Sequence, residues 1–183
     1  TYGTPCYVYD AEVIERQYAR LKAALPDDMA ILYSVKANPL IGVCQWLRRL
    51  GAGCEVASEG ELLIALAAGF EPESIHFAGP GKTAADLRAA LASGIGCVHL
   101  ESVEEARLLN ALAAESGRAA RVALRVNPDL FAGKAALRMG GAATPFGIDR
   151  ALLDDAVRAV LELPFLDLAG FHFYAGSQLL DAD

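Results

Sequence analysis

The chain has 183 residues, an apolar fraction of 54% and a formal net charge of -7. That composition fits one globular domain with a core of its own and excludes a disordered or fibrous chain. Net negative charge without an extended basic run also argues against a nucleic-acid partner.

The opening TYGTPCYVYD is expected to be structured already, and its first residue, threonine, leaves room for a preceding segment. Six units follow, each with an apolar extended run and most with a helical one. AILYSVKAN leads into LIGVCQWLRRL, CEVAS into EGELLIALAAG, SIHFAGP into TAADLRAALASG, and GCVHLES into VEEARLLNALAAESG. RVALRVNP is followed by a long loop and then DRALLDDAVRAVLEL; LAGFHFYAGSQ comes last. Ser58 with Glu61, and Ser102 with Glu105, have capping-box spacing. Leu87, Ala90 and Leu91, and then Leu108, Leu109 and Leu112, fall at helical spacing and are expected to face the core. Gly51, Gly69, Gly94 and Gly117 stand where helices should end.

This alternation predicts an α/β fold with a parallel sheet. A doubly wound sheet and a (β/α)8 barrel both satisfy it. Polar and glycine signals after each strand suit a barrel, whose active sites sit at the C-terminal strand ends. Six units do not close such a barrel, so a barrel reading makes this an incomplete portion. Cys44, Cys54 and Cys97 lie among apolar residues and glycine, and with Cys6 form no CxxC pair. Buried free thiols, a reducing compartment and a cytoplasmic location are therefore expected. No secretory signal and no membrane-length apolar run is present.

Among candidate chemical groups, Lys36 ends the run ILYSVK just before Ala-Asn-Pro. Strand alternation would put Leu32, Ser34 and Lys36 on one face, with Lys36 desolvated in a barrel mouth and activated toward carbonyls. A solvated strand-end lysine is the competing reading. Glu55, inside an apolar strand, needs a partner, and Lys36 on the next strand is the natural one. Arg125 similarly needs an anion. FAGPGKT lacks the first P-loop glycine, since His76 stands there, so Gly79 and Gly81 are expected to shape a βα loop. RMGGAATPFG, Arg138 to Gly147, occupies the longest loop and suits a lid or an anion nest. Gly176 and Ser177 offer N–H groups and a hydroxyl to a phosphate. His76 and His99 read as core histidines, while His172 and Tyr174 share a face opposite Phe171 and Phe173. No Ser/His/Asp set and no metal-ligand spacing emerges.

Taken together, YSVKANP, CEVASEGEL, RVNPD and GFHFYAGSQ resemble the fold-type III decarboxylases dependent on pyridoxal phosphate (PLP), the diaminopimelate, ornithine and arginine decarboxylase family. The resemblance runs in order through the whole chain. It implies an alanine racemase-like (β/α)8 TIM barrel, with residues 1–183 its N-terminal part. It also implies PLP carried by Lys36 as a Schiff base, with Glu55 beside it as the acidic catalytic partner. Arg125 would lie near the ring hydroxyl, and Gly176 and Ser177 would hold the phosphate. His172 matches a histidine of the diaminopimelate branch. Tyr174 stands where the family's ring-stacking histidine belongs, and RMGGAATPFG is closer to an exopolysaccharide-associated or carrier-linked branch. The implied activity is decarboxylation of an amino acid of the diaminopimelate kind, with a carrier-protein-bound or polyamine-related amino acid as the alternative substrate. An amino-acid racemase, a non-enzymatic PLP-binding protein and a metal- and phosphate-using barrel stay open beside it. The family's later barrel strands and C-terminal β-domain, which completes the site across a homodimer, have no counterpart in these residues.

Overall fold

Apolar and polar residues alternate along the strands, so one face of the sheet builds the core. The computed structural model describes residues 2–127 and 146–174. The strands are β1 (Leu32–Ser34), β2 (Gly53–Val56), β3 (Ile75–Phe77), β4 (Cys97–Leu100), β5 (Ala120–Asn127), β6 (Ile148–Asp149) and β7 (Leu166–Phe173). They run parallel in the order β1 to β6, and β7 also pairs with β5. The helices are α1 (Ala11–Ala24), α2 (Ile41–Arg49), α3 (Glu59–Ala67), α4 (Ala84–Ser93), α5 (Val103–Ser116) and α6 (Leu153–Leu161).

Alternation divides the sheet into two chemistries. Cys54, Val56, Ile75, Phe77, Val98, Leu100, Val122 and Leu124 form one core with Leu62, Leu87 and Leu109 of the helices. The intervening residues Glu55, His76, His99 and Arg125 point the other way. The helices therefore cover one face, and the opposite face is free to carry polar groups.

The pairing of β5 with β7 contains one irregularity. Val122 pairs with Leu168, but Ala123 pairs with Gly170, so Ala169 is an extra residue in β7. Beyond it, Arg125 is the register partner of His172, while Phe171 and Phe173 lie on the other face, 49% and 59% exposed.

Most helix boundaries follow the sequence signals. Gly51, Gly69, Gly94 and Gly117 all take positive φ just past helices. Ser58 and Ser102 accept the N–H of Glu61 and Glu105, but the two glutamates reach back to the N–H of Ala57 and Glu101, one residue before the cap. Thr83 and Asp86 close a reciprocal box at α4 instead.

Four expectations need correction. Residues 2–10 form no strand or helix, and Tyr2, Tyr7 and Val8 are exposed. Helix α1, capped by Asp10, precedes the first strand; none of its residues is buried, and its apolar stripe through Val13, Ile14, Tyr18 and Leu21 borders a cavity shared with β1 and α2. Leu108 is exposed, because the buried stripe of α5 runs through Ala106, Leu109, Leu112 and Ala113. The loop before α6 ends in a two-residue strand, giving seven strands among the described residues. Cys44, Cys54 and Cys97 are buried free thiols as expected, with burial pushing Cys54 up to about 12. Among the described residues no helix is long and apolar enough to cross a membrane.

Candidate functional site

Lys36 does not extend a strand. β1 stops at Ser34, and Val35–Ala37 form one turn of 3-10 helix. Val35 is fully buried, which anchors the turn and sends the next side chain outward. Asn38 fixes the exit: its carbonyl accepts the Tyr33 hydroxyl at 3.0 Å, and its Oδ1 accepts the Leu40 N–H at 3.1 Å. The expected desolvation of Lys36 is therefore absent here, since its side chain is 68% exposed. The expected partner is present, because Lys36 Nζ lies 3.9 Å from Glu55 Oε1. Ser34, in register with Glu55, offers its hydroxyl to the same oxygen at 3.4 Å.

The anion required by Arg125 is Glu101, which the sequence reading missed. Arg125 Nη1 meets Glu101 Oε1 at 2.8 Å, and both side chains are at least nine-tenths buried. Glu101 Oε2 accepts the Gly147 N–H at 2.7 Å, so one carboxylate ties the end of β4 to β5 and to the close of the long loop. Gly147 is obligatory there: its φ is +72° and a Cβ would lie 2.9 Å from the Arg125 carbonyl. The guanidinium also lies 5.0 Å from the Phe146 ring and 5.8 Å from the Tyr174 ring. A cavity of about 580 Å³ opens beyond Glu101 and Gly147, but its lining is acidic, with Glu104, Asp149 and Asp155, and it excludes Lys36.

The three histidines are not separate core residues. His76 Nδ1 lies 3.0 Å from His99 Nε2, and His99 Nδ1 lies 2.9 Å from His172 Nδ1. Burial pushes all three below the ordinary imidazole range, His99 to about 3 with help from its two neighbours. Cys97 also falls beside His76 and His99, although sequence spacing gave no such cluster. Adjacent strands brought these groups together, which linear spacing cannot encode.

Lys82, at the GPGKT loop, is also more than a loop residue. Its side chain is fully buried and meets Gly79 O at 2.6 Å, His99 O at 2.7 Å and Glu105 Oε1 at 2.8 Å. Burial raises the Glu105 carboxyl above its usual range, and Lys82 opposes that rise. The βα loop role expected of Gly79 rests on its carbonyl and on its φ of +127°.

The structure thus gathers Lys36 with Glu55, and Arg125 with His172 and Tyr174, on the polar side of one sheet. Gly176, Ser177 and most of RMGGAATPFG lie outside the described residues.

The family described as pyridoxal-dependent decarboxylase, pyridoxal binding domain, matches residues 11–183. An L-glutamyl-[BtrI acyl-carrier protein] decarboxylase of Niallia circulans is 42% identical over 100% of this chain and 42% of its own length. A diaminopimelate decarboxylase of Aquifex aeolicus is 38% identical, covering 99% of this chain and 43% of its own. The crystal structure of diaminopimelate decarboxylase from Helicobacter pylori complexed with L-lysine superposes with a TM-score of 0.92 at 31% identity, over 99% of this chain and 46% of that one. The chain therefore spans less than half the length of these relatives.

Proposed function

The chain belongs to the pyridoxal-binding domain family of the pyridoxal-dependent decarboxylases, and from that premise we propose that it is the lysine-bearing, N-terminal part of a PLP-dependent amino-acid carboxy-lyase. The observation that carries this reading is Lys36, whose open amine stands just past a strand end with Glu55 at 3.9 Å. The residues present fit the cofactor. An accessible amine suits its aldehyde, and Glu55 supplies a carboxylate beside that amine. Arg125, His172 and Tyr174 offer a guanidinium, an imidazole and a ring on the same face.

Lys36 would hold the cofactor, Arg125, His172 and Tyr174 would border its ring, and Gly176 and Ser177 would bind its phosphate. When bound, PLP supplies the electron sink for the pair left behind as a carboxylate departs as CO2. Glu55, 3.9 Å away, orients the Lys36 Nζ. Lys36 Nζ then holds the proton returned to the substrate Cα. The buried Glu101 pair fixes Arg125 so that its position does not depend on the ligand.

The substrate belongs to the diaminopimelate kind in this reading. A carrier-bound amino acid has its own support, in the 42% identity to a glutamyl-carrier decarboxylase and in Tyr174. The same proposal includes the remaining barrel strands, a C-terminal β-domain, a homodimer with a shared active site, and a cytoplasmic location. The test is Lys36→Ala in the full-length protein, assayed for CO2 release from meso-diaminopimelate and from glutamyl-carrier protein. Turnover should be abolished, together with borohydride fixation of PLP to the peptide containing residue 36. An active Lys36→Ala enzyme would overturn the assignment.

A further inference from the structure

Parallel pairing places His76 of β3 beside Cys97 of β4, and alternation puts His99 on the face shared with Cys97. One donor atom from each of these three side chains lies within 4.8 Å of the other two. The closest pair, His76 Nδ1 and His99 Nε2, is 3.0 Å apart. A tetrahedral zinc-type centre holds its nitrogen and sulfur ligands roughly 3.3–3.6 Å from one another, given metal–ligand bonds of about 2.0–2.3 Å. Small side-chain rotations bridge that difference.

We propose that His76, Cys97 and His99 form a binding site for a borderline-soft divalent cation of the zinc class, separate from Lys36 itself and linked to the cofactor-facing His172. Two imidazoles and one thiolate are the donor set such ions select over harder cations. The outer partner is also in place. His99 uses Nε2 toward the site, and its Nδ1 is 2.9 Å from His172 Nδ1, which fixes the ring as second partners of metal-bound histidines do. Three protein donors leave a fourth position for water or a small ligand. A cavity of about 390 Å³ bordered by His76, Cys97, His99 and His172 lies beside it. Arg121 borders the same cavity and opposes a cation, but its register partner Asp167 offsets that charge. Binding replaces the Cys97 S–H proton with the metal, and that proton leaves to solvent.

The experiment is a Co2+ titration of full-length protein stripped with chelator, followed by displacement with Zn2+. The site predicts saturable binding with tetrahedral visible bands, a thiolate-to-cobalt charge-transfer band and one proton released per ion. Cys97→Ser should remove the charge-transfer band, and His99→Gln should weaken binding at least about 10-fold. Lys36→Ala should bind cobalt as the wild type does, so failure of the lysine assignment and failure of this site are read separately. Circular dichroism melts confirm that each variant is folded before it is scored. Absence of saturable binding by the wild type, or equal binding by folded Cys97→Ser and His99→Gln, would overturn the site.

Discussion

Lys36 and Lys82 both follow strands at the same end of the sheet, and the fold treats them oppositely. Lys82 is fully buried, and two carbonyls and one carboxylate surround its amine. Lys36 is 68% exposed and has a single carboxylate at a distance too long for a good hydrogen bond. A buried ammonium persists only when acceptors replace its lost water, and that saturation removes it from chemistry. The lysine with reactive capacity is therefore the under-supplied one. Residue type and strand position alone do not tell the two apart.

Changing the saturated lysine should have the largest effect on stability. Lys82→Met leaves the Glu105 carboxylate buried without its cation, and full-length protein should lose about 3–5 kcal/mol in urea denaturation. Adding Glu105→Gln should recover part of that loss; no recovery would mean that the two groups are not coupled. Glu101→Gln tests the other buried pair and should cost about 1–3 kcal/mol, with earlier proteolysis near Gly147.

Acid should act through the histidine chain. Burial holds the folded pKa values of His76, His99 and His172 below the unfolded value of 6.5. Between the folded and unfolded values the unfolded chain binds more protons. Their contribution is thus full above 6.5 and is lost as pH falls, over a window reaching about 3 for His99. Each contributes a slope of up to about 1.4 kcal/mol per pH unit. Glu105, with its raised pKa, acts in the opposite direction just above 4.5. Denaturation midpoints measured from pH 7 to 5 should fall; a flat profile would show that these rings are solvated. Lys36→Ala should have the smallest effect on stability, within about 0.5 kcal/mol, as for other open surface positions. A large loss of stability would return Lys36 to a structural role.

The strand–helix rhythm, the glycine stops and the Lys36–Glu55 pairing were legible because each depends on local pattern or on adjacent units. Helix α1 was not, although Ile14, Tyr18 and Leu21 fall at helical spacing, because no apolar strand run precedes it to mark a unit. The turn at Val35–Ala37 hid within an apolar run that reads equally well as strand. Lys82 with Glu105, and Arg125 with Glu101, also join neighbouring units, but Glu101 and Glu105 stand past the apolar run of β4, in segments that read as loop and helix, so nothing in the sequence marked them as partners.

The extra residue Ala169 has a consequence for tolerance to change. A regular ladder running through Ala169 would set Arg125 opposite Phe171 and turn His172 toward the helix layer, because a one-residue slip exchanges the two faces of a strand. The bulge absorbs that residue and keeps the imidazole on the polar side. Deleting residue 169 should therefore regularise the ladder and leave His172 beside Arg125, whereas one residue inserted after Gly170 should bring a phenyl ring there without altering any polar residue. The strand tolerates a shorter chain at this point and not a longer one, so length here is constrained in one direction.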